Sequence, residues 1–242
     1  MATRGTNAKL LIDEFNFSCD TNSLTVTGSV AALDSTGLCA TGTTFVAGLT
    51  TGGLTHAGYY SGKGAGYIEQ ELNARLGTAT PVYVAAIIGT ATAGCPAYVC
   101  ASTWGKQLTI NLPLAELITL NGEWDAPGGL VRGLRLVDAT LSATGAGTAY
   151  DTGAAGSAGG RAFLFVSAIV GTATSATIDV ESSATQGGTY ASEGTFTLSA
   201  VGVQTLTMSG TVNRWLRINT TSLGGATSIT AIAIAGVSGV TY

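Results

Sequence analysis

Short stretches rich in Val, Ile, Thr and aromatic residues recur along this chain, each stopped by Gly, Ser or Asn after about 8 to 12 residues, the punctuation of strands and turns. Residues 23–30 read Ser-Leu-Thr-Val-Thr-Gly-Ser-Val, which puts Leu24 and Val26 on one face and the threonines on the other, as a half-buried strand requires. Residues 107–112 repeat the device with Leu108, Ile110 and Leu112, and residues 130–137 read as a further strand. A chain built this way must hide one face of each strand against another sheet, so it is expected to be all-β.

One segment breaks the pattern. Residues 66–77 space Ile68, Leu72 and Leu76 four apart, with Glu69, Glu71 and Arg75 off that stripe and a glycine at each end, which predicts a single short amphipathic helix near 67–76. Three turns do not hold together alone in water, so the stripe is expected to pack on a sheet.

Beyond residue 137 the strands lengthen and charges thin out. Residues 143–160 are rich in Gly, Ala, Ser and Thr and read as one strand and a wide loop. Strands are then expected at 161–170, 176–182, 194–199, 203–208, 214–219 and 228–237, the content of a two-sheet sandwich, Ig-like or jelly-roll-like. A boundary near 137 divides the chain into a β domain with one helix (1–137) and a C-terminal β-sandwich (138–242).

Charge is the next constraint. The 242 residues carry 10 Lys+Arg and 14 Asp+Glu, where a typical soluble chain of this length would carry roughly 60 charged residues. The longest mainly apolar stretch, 82–88, is far too short for a bilayer-spanning helix, so no membrane role is expected. Residues 1–17 run through Arg4, Lys9, Asp13 and Glu14 without the apolar core of a secretory signal, and no export is expected. A net charge of −4 with only three lysines argues against sequence-independent nucleic-acid binding.

Catalytic constellations fail one by one. Nucleophilic hydrolysis needs a base beside its nucleophile, but the single histidine, His56, continues the alternation of a Gly-spaced strand and no Gly-x-Ser-x-Gly elbow is present. The carboxylates Asp13/Glu14 alternate faces if they lie on a strand, Glu69 and Glu71 do not face each other on a helix, and Glu123/Asp125 read as part of a turn. Gly62-Lys-Gly-Ala-Gly66 matches no phosphate-loop pattern and reads as a flexible lead-in to the helix. Cys19, Cys39, Cys95 and Cys100 are too few for a disulfide scaffold and read as small buried thiols, with Cys95 and Cys100 the candidate pair should one disulfide form. Their spacing does not make a zinc site. Of Trp104, Trp124 and Trp215, two are expected in the core; Trp215 and Tyr190 are the candidates for a glycan contact. No catalytic residue, metal or cofactor is expected.

A folded chain this poor in charge is weakly protected against association, which points to surface buried against copies of itself. Unpaired sheet edges offer the means.

Asp34-Ser-Thr-Gly37, then Thr44-Phe-Val-Ala-Gly-Leu-Thr50, then Gly53-Leu-Thr-His-Ala-Gly-Tyr-Tyr60 resemble the succession of a strand, a loop and a second strand before the single helix of tailed-phage tail tube (major tail) proteins. The second half, through Phe196-Thr-Leu-Ser199, Gln204-Thr-Leu-Thr-Met208 and Thr211-Val-Asn-Arg-Trp-Leu-Arg-Ile218, is similar to a β-sandwich appended to phage virion proteins. The first segments also look like some capsid decoration proteins. The acidic residue usual at position 51 is a threonine here, and no Asp-Pro follows Tyr60.

The resemblance implies a non-enzymatic virion protein, assembled in the host cytoplasm, whose partners are its own copies and other virion proteins. A tail tube subunit would form stacked hexameric rings around a conduit through which DNA passes without specific binding. A decoration protein would instead stabilise the head. A carbohydrate-binding adhesin, using Trp215 or Tyr190, is the third reading.

Overall fold

The computed structural model describes residues 8–34, 45–62, 64, 66–78, 80–89, 93–127 and 129–240. In chain order the elements are β1 (Lys9–Ile12), β2 (Phe15–Asn16), β3 (Thr21–Asp34), β4 (Phe45–Tyr59), α1 (Ile68–Arg75), β5 (Val82–Ile87), β6 (Pro96–Asn111), β7 (Thr119–Ala126), β8 (Leu130–Leu141), β9 (Gly145–Ala146), β10 (Tyr150–Asp151), β11 (Gly160–Gly171), β12 (Ala176–Ser183), β13 (Ala191–Leu198), β14 (Gly202–Met208), β15 (Trp215–Ser222) and β16 (Ala226–Val237). The all-β expectation holds, and α1 is the one α-helix among the described residues.

The chain divides into two units, and the single boundary near residue 137 does not describe them. One unit holds Met1–Ser18, Ala85–Val99 and Val131–Tyr242; the other holds Cys19–Val84 and Cys100–Leu130. The reason is pairing: β8 lies beside β16 in register from Ile229↔Leu141 to Ala235↔Leu134, so a strand expected to close the first half belongs with the last. Hydrogen bonds from Gly94 N to Arg135 O (2.6 Å) and from Arg135 N to Cys95 O (3.0 Å) bring the start of β6 to β8.

In the larger unit two sheets face each other. One runs β14-β11-β16-β8 and continues through the unit's parts of β6 and β5 to β1 and β2; the other runs β10-β15-β12-β13, with β9 also on β15. Their facing sides share one apolar core: Leu134, Leu136, Leu164, Val166, Ile229 and Ala233 from the first meet Ile178, Val180, Phe196, Leu216 and Ile218 from the second. Alternation along each strand supplies these residues, as a sandwich requires. All six strands expected after residue 160 are present, within three residues of their expected ends. Phe196 is 2% exposed, and removing its ring would cost about 3–5 kcal/mol in lost transfer energy and cavity.

In the smaller unit the strands order β3-β4-β7-β6. The pairings are antiparallel and in phase: Leu24↔His56 and Val26↔Leu54, Leu54↔Trp124 and His56↔Gly122, Gly105↔Trp124 and Leu108↔Gly122. Leu54, His56, Leu120, Trp124 and Ala126 are buried, as are Ile68 and Leu72 of α1.

The helix keeps two thirds of its expected stripe. Leu76 is 41% exposed because its backbone has already turned extended at the C-cap, where it makes an isolated bridge to Gly105. Glu71 is buried in its stead: Oε1 accepts from Gly66 N at 3.1 Å and Oε2 accepts from Arg75 Nη1. No helix among the described residues is long and apolar enough to cross a membrane.

Candidate assembly surface

Because side chains alternate across a strand, the register that buries His56 and Gly122, with the half-buried Leu24 and Leu108 on the same side, places their neighbours on the opposite face. There the row Thr25, Thr55, Glu123 and Gln107 crosses all of β3, β4, β7 and β6. Ser23, Ala57, Asn121 and Thr109 form a second row, and Ser29 meets Thr51 with their hydroxyls 2.8 Å apart. An open groove of about 500 Å³ lies along this face, lined by Thr27, Ser29, Thr51, Thr55, Lys106, Glu123 and their neighbours.

Charge here is nearly cancelled. Lys106 Nζ stands 3.4 Å from Glu123 and 3.7 Å from Asp125, all three half-exposed. Glu123 and Asp125 therefore lie inside β7, not in a turn as the flanking Asn-Gly and Pro-Gly suggested; Gly122 is kept small by what packs on it. An added Cβ at Gly122 would sit 2.6 Å from His56 Cε1 and 3.3 Å from Leu72 Cδ2. His56 is wholly buried with neither ring nitrogen hydrogen-bonded, as is Trp124 Nε1. Burial pulls the imidazole down to about 4, so it is neutral at physiological pH and offers no paired base.

The sheet's margins are open. Among the described residues β3 pairs with β4 alone, and beyond Gly105 the pairings of β6 are to β7. The connection from β6 to β7 carries Leu112 (73% exposed), Leu114 (106%) and Leu117 (70%), with Tyr59, Tyr60 and Ile110 also exposed. Tyr60 N donates to Ile118 O at 3.1 Å, tying the tyrosines to this tip. The expected alternation of 107–112 stops at Asn111, where the strand ends, and Leu112 faces outward.

The remaining sequence candidates disperse. Asp13 and Glu14 occupy the turn joining β1 to β2, with Asp13 at φ 48°, not a strand. The lead-in to α1 has Gly62, Gly64 and Gly66 at positive φ, with the Tyr67 ring against Gly62; Lys63 lies outside the described residues. Glu71 Oε1 already accepts from Gly66 N, the amide two residues before the helix. Cys95 and Cys100 are free, buried thiols, and the candidate pairing is not made. The extended run between them separates their Cα atoms by about 16 Å, far beyond disulfide reach. Burial pushes the Cys100 thiol up to about 12 and raises Cys95 as well. Cys19 is exposed. Cys39, residues 35–37 of the resemblance and Thr44 lie outside the described residues, as does the side chain of Trp104. Gly53 to Tyr59 continue on β4 the same strand that begins at Phe45.

In the larger unit, Trp215 and Tyr190 are half-buried on the outward side of the β10-β15-β12-β13 sheet. The sequence marked these two aromatics but not what they stand beside. Arg217, next on the outward face of β15, lies 3.8 Å from the Tyr190 ring centroid and donates from Nε to Glu181 Oε2 at 2.6 Å. Asn219 Nδ2 donates to Glu181 Oε1 at 2.8 Å. The pairing Glu181↔Arg217 of β12 and β15 creates this cluster.

No protein-family model matches the sequence, and no curated protein matches it. Solved structures with similar chains include the following three. One is the virion of a native gene transfer agent particle, with 9% identity and a TM-score of 0.41 over 53% of this chain and 97% of that one. Another is the 6-fold symmetrised baseplate of the anti-feeding prophage, with 9% identity and a TM-score of 0.33 over 48% and 85%. The third is SPP1 Dit (gp 19.1), described as a paradigm of the hub adsorption apparatus in Gram-positive-infecting phages, with 10% identity and a TM-score of 0.38 over 95% and 98%.

Proposed function

We propose that this chain is a non-enzymatic virion structural protein of a tailed phage, a tail tube subunit that assembles into stacked rings around a DNA conduit. The observation that carries the reading is the β3-β4-β7-β6 sheet: among the described residues, β3 on one side and β6 beyond Gly105 on the other pair with no further strand, and one face is hydroxyl-rich, with Lys106, Glu123 and Asp125 as its charged side chains. Pairing the β3 edge of one subunit with the β6 edge of the next is a heterologous contact, which propagates and closes into a ring when the rotation allows. A wall of threonine and serine with almost no net charge holds no phosphate backbone, since such binding draws on clustered cations. The exposed leucines between β6 and β7 suit contact with a neighbouring subunit. The segments that resemble tail tube proteins run onto β4 of this same sheet.

Negative-stain electron microscopy of the purified full chain tests the reading. Rings or tubes with a central hole are expected; a monodisperse monomer at high concentration, or binding only to preformed capsids, overturns the tube assignment, the second outcome in favour of head decoration.

A further inference from the structure

We infer that the outward face of β12 and β15 is a binding site for a neutral saccharide, centred on Trp215, Arg217, Asn219 and Tyr190. The inference does not rest on the tail tube reading. It starts from Glu181, a carboxylate only 8% exposed, both of whose oxygens are engaged, one by Arg217 Nε and the other by Asn219 Nδ2. This buried anchor fixes two planar polar side chains and leaves their other atoms unspent. Among the described residues, neither terminal guanidinium nitrogen of Arg217 donates a hydrogen bond, Asn219 Oδ1 accepts none, and Trp215 Nε1 is neither bonded nor sealed from solvent.

Spacing adds to the case. Trp215, Arg217 and Asn219 share one side of β15 while Leu216, Ile218 and Thr220 are buried, so the three outward groups span about 13 Å in a line. Tyr190 flanks them from the β12–β13 connection, its ring against Arg217 and its hydroxyl held by Gln186 O at 2.8 Å. Immobilised donors and acceptors beside aromatic rings match a ligand with many hydroxyls on an apolar ring face, and groups already held in place lose little entropy on binding.

Charge selects among ligands. Arg217 is paired to Glu181 at 2.6 Å, so a bound anion would meet a guanidinium already neutralised, and the carboxylate Asp179 stands opposite Asn219 on β12. That disfavours phosphates and acidic sugars. The face is too polar for a purely apolar ligand and lacks the basic surroundings a nucleic acid needs.

Saturation-transfer NMR on the full chain, with maltotriose, cellotriose and N-acetylchitotriose as neutral probes and sialyllactose and inorganic phosphate as anionic ones, tests the site. At least one neutral probe should bind at millimolar concentration, Trp215→Ala should weaken it about tenfold or abolish it with melting unchanged, and Trp215→Phe should retain most of it. Should Trp215→Ala fail to fold, the same titration on Asn219→Ser takes its place, with the same loss expected. Failure of every neutral probe, binding of the anionic probes alone, or full binding by the folded variant overturns the inference. Loss of saccharide binding with ring assembly intact leaves the proposed function standing, and the reverse result leaves this site standing.

Discussion

His56 on β4 lies directly opposite Gly122 on β7, and its imidazole fills the space where a side chain at 122 would begin, Cε1 standing 2.6 Å from the position of an added Cβ. The smaller unit's core closes around this pair, with Leu72 of α1 on the same spot.

Gly122→Ala should therefore cost about 1–3 kcal/mol, the usual penalty of overpacking a filled core. Gly122 is not among the positive-φ glycines, so the loss is steric and should shrink when His56→Ala is added. Urea unfolding of the single and double variants measures this; strictly additive losses would contradict the contact.

Acid should weaken the fold through His56. Its folded pKa is about 4 against an ordinary 6.5, so between those values the unfolded chain binds the proton that the folded chain refuses. This residue's stabilising contribution is complete above pH 6.5, falls as pH drops through the window, and levels off below about 4, a total of roughly 3 kcal/mol. His56→Leu should flatten that part of the stability–pH curve, and equal slopes in the two proteins between pH 7 and 4 would refute the assignment.

Glu71 is expected to matter more than a surface glutamate. Its carboxylate serves Gly66 N and Arg75 at once, so Glu71→Ala should cost about 1–3 kcal/mol, the loss of part-buried hydrogen bonds to a charged acceptor. Glu71→Gln keeps an acceptor for Gly66 and should lose less. Thermal melts of both variants give the comparison.

A buried charge in the larger unit makes a sharper prediction. The Arg135 side chain is 0% exposed and donates to Asp138 Oδ2 at 2.7 Å, which also accepts from Lys9 Nζ at 2.6 Å. Asp138→Asn should cost about 3–5 kcal/mol, the penalty for breaking a buried pair, while Lys9→Met, at a more exposed position, should cost well under half of that. Chemical denaturation distinguishes the two; equal effects would mean that Arg135 does not depend on Asp138.

Thiol reactivity should follow burial. Cys19 is exposed, whereas Cys95 and Cys100 are buried with raised pKa values, and the thiolate is the reactive form. Iodoacetamide labelling at pH 8 followed by peptide mass spectrometry should modify Cys19 in the native protein, and Cys95 and Cys100 only after denaturation. Prompt native labelling of Cys100 would place it elsewhere than in the core.

Much of this protein was legible in its residues because strand periodicity is a local property. Leu24 and Val26 against Thr25 and Thr27, or Leu216 and Ile218 against Arg217 and Asn219, announce which side of each strand is hidden whatever covers it. The helix was visible for the same reason, from Ile68 and Leu72. Pairing was not legible. Lys9 meets Asp138 across 129 positions and Arg217 meets Glu181 across 36, and no local pattern says which strand lies beside which. The same gap misplaced the boundary at 137 and put Glu123 and Asp125 in a turn: Asn121-Gly122 looks like a turn signal until His56 is seen to occupy the glycine's missing side chain. A sequence thus settles which face of each element avoids water, because that is written in side-chain alternation; the tertiary structure alone decides which distant side chains share a face, because register is chosen by the packing of the whole sheet.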